Sequence, residues 1–112
     1  MASAHAKVNG SLPLEITVDF QSKHHAGFRL FTRDSAASPW KFLKQGDSDT
    51  TTTSMPLPPG GAIQYEFIFF KEDHPFAAVL ILKQNGVTLD GGMVAVTAPG
   101  DALLVVDQVE LV

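Results

Sequence analysis

The stretch Ala62-Ile-Gln-Tyr65-Glu-Phe67-Ile-Phe69, followed by Glu72-Asp-His-Pro75 and then Phe76-Ala-Ala-Val-Leu-Ile-Leu82, decides the fold class. Ile63, Tyr65, Phe67 and Phe69 recur every second residue, the period of a pleated strand with one face turned inward. Phe76 to Leu82 is apolar on both faces, which requires cover on both sides. The polar Glu72–Pro75 link between them predicts a long hairpin.

The same period extends outward along the chain. In Leu14-Glu-Ile-Thr-Val-Asp-Phe20, Leu14, Ile16, Val18 and Phe20 face in, and Pro13 suits a strand start. Gly27 to Arg33 predicts a strand with Phe28 and Leu30 inward and Phe31 outward. Trp40 to Lys44 predicts a short one. Thr50 to Met55 is rich in threonine, whose branched β-carbon favours extended backbone. It has little to bury, so it is expected at a sheet edge. Pro56-Leu-Pro-Pro-Gly-Gly61 breaks any helix or central strand. Asn85-Gly86 tolerates positive φ at both positions and predicts a two-residue hairpin turn. Val87–Leu89 and Met93–Thr97 follow as two short strands parted by an Asp90-Gly-Gly92 turn. In the last segment, Ala102 to Val112, Leu104 and Val106 fall out of phase with Val109 and Leu111. A bulge near Asp107-Gln108, or a switch between sheets, is expected there.

No segment carries an apolar helical period. Eight or nine short strands separated by Gly, Pro, Asp and Asn turns predict an all-β fold, a single-domain antiparallel β-sandwich on an immunoglobulin-like or jelly-roll-like path. With 112 residues, the chain is expected to be one domain, led by a partly flexible segment at 1–12.

Hydrophobic content of 45% sets the chain apart from disordered sequences. No cysteine is present, which removes disulfides, thiolate metal sites and cysteine nucleophiles. The amino end has no long apolar export signal, and no apolar run is long enough to span a bilayer. A soluble protein with a cytoplasmic address and no membrane partner is expected. The net charge of −4 argues against a nucleic-acid partner, whose phosphates call for a basic surface. Residues 57–112 carry two basic and seven acidic side chains, so the acidity is concentrated in the second half.

Candidate chemistry is sparse. His24-His25 has no third ligand at a recognisable spacing and reads as a surface loop. Asp47-Ser-Asp49, followed by four threonines, offers oxygen ligands. Calcium takes about six to eight oxygens, and Asp90 and Asp101 would have to join. No Gly-x-Ser-x-Gly elbow or phosphate-cradling loop is present. Glu72 and Asp73 sit in a turn, a poor place to perturb a carboxyl. The chain therefore reads as non-catalytic, without a cofactor or metal.

Trp40, the only tryptophan, carries two readings. It plugs the core between the sheets, or it offers a flat apolar plate to the C–H face of a sugar. In the second reading the ligand-binding residues are Trp40, Lys41, Asp47 and Asp49.

The segment Leu57-Pro-Pro-Gly-Gly-Ala-Ile-Gln-Tyr65-Glu-Phe67-Ile resembles the Leu-Pro-x-Gly…Tyr-Lys-Phe strand of starch- and glycogen-binding modules. Those modules are small immunoglobulin-like sandwiches, and a tryptophan precedes that strand as Trp40 does here. Glu66 stands where they carry lysine, and Phe76 is the nearest equivalent of their second ligand-stacking tryptophan. The resemblance implies carbohydrate binding. The expected function is a non-catalytic, lectin-like carbohydrate-binding module. The alternative is a structural or assembly protein acting through β-sheet contacts. A homo-oligomer is expected under either.

Overall fold

Leu14, Ile16 and Val18 are fully buried, while Glu15, Thr17 and Asp19 between them stay partly open to solvent. The one-sided alternation is therefore realised as read. The computed structural model describes residues 4–21, 26–69, 76–98 and 104–112. Among these, nine strands form two sheets: β1 (Ala4–Ala6), β2 (Leu14–Phe20), β3 (Ala26–Arg33), β4 (Lys41–Gly46), β5 (Thr50–Ser54), β6 (Ala62–Phe69), β7 (Phe76–Gln84), β8 (Val87–Ala98) and β9 (Leu104–Leu111). One sheet has five strands in the order β1-β9-β6-β3-β4, the other four in the order β5-β2-β7-β8. The architecture is all-β, two layers packed face to face. All pairings are antiparallel except that of β1 with β9.

Inward residues from the two layers meet in one core. Phe28 on β3 lies opposite Phe67 on β6, and Phe20 from the other sheet packs edge-on against Phe67 at a centroid distance of 5.8 Å. Fully burying side chains of this size contributes roughly 1.5–3 kcal/mol each relative to exposure. Gly46, opposite Phe28, makes room for its ring: a Cβ there would stand 3.1 Å from Phe28 Cε1.

Three sequence expectations are corrected. Ile63, Tyr65 and Phe67 do face the core, but the segments on either side of Glu72–Pro75 do not form a hairpin. β6 pairs with β3 and β9, and β7 with β2 and β8, so the chain crosses between layers. Two strongly apolar strands can each serve a different sheet, and only tertiary pairing chooses. Second, β9 contains no bulge. Its register with β6 runs unbroken from Ala62↔Glu110 to Ile68↔Leu104. Leu104 and Val106 simply point to solvent, 54% and 48% exposed, while Val109 and Leu111 are buried. Third, Val87–Leu89 and Met93–Thr97 belong to one strand, β8. Leu89 to Gly92 bulges out between the pairs Lys83↔Thr88 and Ile81↔Met93, with Gly91 at φ +76°. The amino-terminal stretch contributes β1, whose Ala6 is fully buried.

The Asn85-Gly86 turn joins β7 to β8 with φ of 52° and 75°, and threonine-rich β5 lies at a sheet edge, both as read. A polar clamp ties the amino-terminal loop to this hairpin. Buried Gln84 accepts a hydrogen bond from Asn9 N (2.9 Å) and donates to the carbonyls of Asn9 (2.8 Å) and Leu12 (3.1 Å).

Candidate ligand-binding face

The outer face of the five-stranded sheet follows from the register. Alternation turns Gln64, Glu66 and Ile68 outward on β6, Arg29, Phe31 and Arg33 on β3, and Leu104, Val106 and Gln108 on β9. Among the described residues no strand of the other sheet covers these positions, so this layer has one packed and one open side.

Trp40 is half-buried and is not a core residue. It ends the connection from β3 to β4, where the chain turns back beside Arg33, and the Arg33 guanidinium lies 4.2 Å from the centre of its ring. Arg33 Nε is buried without a hydrogen-bond partner among the described residues. Stacking rather than hydrogen bonding therefore accounts for the position of its guanidinium plane. One row along, Phe31 and Phe42 lie opposite each other at 5.9 Å in an edge-on pair, with Phe42 57% exposed.

Polar groups flank this aromatic row. Arg29 Nε stands 2.9 Å from Glu66 Oε1, a charge contact without hydrogen-bond alignment. Gln64 and Gln108 pair across β6 and β9 in register with Phe31. At the far corner His5 Nε2 is 2.9 Å from Glu110 Oε2, and Gln108 Nε2 donates to Glu110 Oε1 at 3.3 Å. Two open depressions border the face. One, of about 520 Å³, is lined by Gly27, Phe28, Arg29, Gln45, Gly46, Asp47 and Ile68. The other, of about 340 Å³, lies beside Arg33, Gly60, Gly61 and Glu110.

The four residues singled out from sequence are not brought together. Trp40 and Lys41 stand at one end of β4, Asp47 and Asp49 beyond the other, separated by roughly 20 Å of extended chain. Lys41 pairs with inward-facing Thr32, so alternation turns it away from the row that holds Phe42. Asp49 is engaged structurally: its Oδ1 accepts a hydrogen bond from Phe20 N at 2.8 Å, tying the β4–β5 turn to the end of β2. Asp47 alone of the carboxylate pair borders the open face, in the depression with Arg29. Asp90 lies in the β8 bulge, at the opposite edge of the four-stranded sheet from the Asp47–Asp49 turn. His24, His25 and Asp101 lie outside the described residues.

Sequence reasoning missed Arg33, Phe42, Gln64 and Gln108 as members of a site. Outward Phe31 was the available signal, since an aromatic on the polar side of a strand marks a face worth following to its neighbours. Tyr65 faces the other way, into the core, and pairs across the sheet with Asp107. Burial, reinforced by the Asp107 carboxylate, pushes its phenol up to about 12.

The chain was compared with protein-family models, curated proteins and solved structures, and none of them matches it.

Proposed function

We propose that this protein is a non-catalytic carbohydrate-binding module whose ligand lies along the outer face of the five-stranded sheet. The carrying observation is the row of planar side chains on that face. Trp40 sits under Arg33, and one row along Phe31 is partly exposed and Phe42 exposed. Aromatic faces accept the C–H face of a pyranose, and aromatic rings with a few fixed polar groups are the usual makeup of a small-molecule site. Gln64, Gln108 and the Arg29–Glu66 pair place amide and charged groups one strand away, where ring hydroxyls would need donors and acceptors. Within this reading Trp40 and Asp47 remain binding residues at the two ends of the face, while Lys41 and Asp49 do not.

The test is a panel of glycans and polysaccharides probed with the labelled protein, with Trp40→Ala and Phe42→Ala alongside. Binding that both variants lose, with the thermal transition kept, supports the reading and locates the site. A panel with no binder, or a binder indifferent to both changes, removes it.

A further inference from the structure

A sheet edge offers unpaired main-chain groups, and folded proteins blunt such edges with charge, proline, bulges or brevity. Three of the four edges here are blunted. β1 has three residues, β4 carries Lys41 and Lys44 and a register shift opposite Leu30–Phe31, and β5 is a five-residue run of threonine and serine. The fourth edge, β8, is different. Near the bulge it is closed by the amino-terminal strand: Lys7 N donates to the Asp90 carbonyl at 2.9 Å. Beyond it, Met93-Val-Ala-Val-Thr97 has no charge, no proline and no paired strand other than β7 among the described residues.

The direction of the free groups follows from one hydrogen bond. Gln21 N donates to the Ala77 carbonyl at 3.0 Å, so Ala77 turns its main-chain groups toward β2. Successive residues alternate, so Ala78 and Leu80 bond toward β8, to their partners Val96 and Val94. Met93, Ala95 and Thr97 therefore aim their N–H and C=O groups away from the sheet. All three side chains are exposed, Met93 by 65%, and Val79 and Ile81 continue an apolar strip on the same outer face.

We infer that the Met93–Thr97 edge of β8 is an interaction surface for a second copy of this chain, joining two four-stranded sheets into one of eight strands. The edge is complementary to itself. Read antiparallel about Ala95, Ala95 meets Ala95 of the second copy, and Met93 meets Thr97. The outward groups then form about six main-chain hydrogen bonds across the seam. A chain of net charge −4 repels its copies over most of its surface, and this uncharged segment is where two of them meet without opposing carboxylates. Because the contact is the same patch on both partners, it closes at two and leaves no β8 edge for a third. The proposal is independent of the carbohydrate reading.

Sedimentation equilibrium of the full chain over a wide concentration range tests it, with Ala95→Pro and Ala95→Lys alongside. Ala95→Pro deletes an outward N–H that the monomer does not use. Ala95→Lys keeps the N–H but sets two ammonium groups face to face across the twofold axis. The expected result is a reversible dimer, weakened roughly thirty- to a hundredfold by Ala95→Pro because the twofold removes two bonds at once. Ala95→Lys, at an exposed position, should weaken it likewise with the thermal transition kept, so a folding failure of the proline variant leaves the test intact. A strict monomer at the highest concentration overturns the proposal, whether the edge stays open or takes some other strand. So does a dimer indifferent to Ala95→Lys, or open-ended association.

Discussion

The Arg33 guanidinium stacks on the indole of Trp40, 4.2 Å from the ring centre. Arg33 comes from the last residue of β3 and Trp40 from the end of the following connection, so the contact closes that loop back onto its own strand. A cation over an aromatic face at a partly open site is worth about 0.5–1 kcal/mol, so Arg33→Ala should lower stability by no more than that. It should also open Trp40 to solvent. Acrylamide quenching of the single tryptophan reads this directly, with stronger quenching in Arg33→Ala and an intermediate response in Arg33→Lys, whose ammonium lacks a stacking plane.

Gln84 should matter more than its polar character suggests. Removing its amide in Gln84→Ala leaves the Asn9 N–H and the carbonyls of Asn9 and Leu12 without their partner. The expected loss is about 2–3 kcal/mol, since part-buried groups stripped of a partner incur their desolvation penalty. Urea unfolding measures it. An unchanged midpoint would mean that water replaces the amide without loss.

Gly91 is constrained twice. Its φ of +76° disfavours any side chain, and a Cβ there would collide with the His5 carbonyl oxygen. Gly91→Ala should therefore push β1 away from β8 and destabilise the fold by at least about 1–3 kcal/mol. Amide exchange should quicken at Lys7, whose N–H bonds to Asp90 beside the glycine. Gly86→Ala, also at positive φ but with open space around it, should produce the smaller effect.

Tyr65 makes stability fall at alkaline pH. Its folded pKa is pushed up to about 12, from 10.0 for the unperturbed phenol, by burial and then by Asp107. Between these values the unfolded chain gives up the proton while the folded chain keeps it, so the unfolded state binds fewer protons and stability declines with rising pH. The contribution is whole below pH 10 and is lost on the way to 12. Tyr65 is the only tyrosine, so tyrosinate absorbance in the folded protein reports this group alone. Asp107→Asn should bring its titration down toward that of the unfolded chain.

The period of two in residues 14–20 and 62–68 was enough to establish strands, their inward residues and an all-β fold, because alternation is a local property of extended chain meeting one apolar layer. The Asn85-Gly86 turn was legible for a similar reason: its backbone demands are met within two residues. Pairing was not legible. β6 and β7 are neighbours in sequence but lie in different sheets, and nothing local distinguishes a hairpin partner from a strand across the core. The same limit governed the site. Trp40 and Asp47 are close in sequence yet stand at opposite ends of β4, while Arg33, Phe42, Gln64 and Gln108 converge only through the registers of four strands. Local periodicity determined which residues turn inward. Long-range hydrogen bonding between strands decided which outward residues share a face, and with it where a ligand could lie.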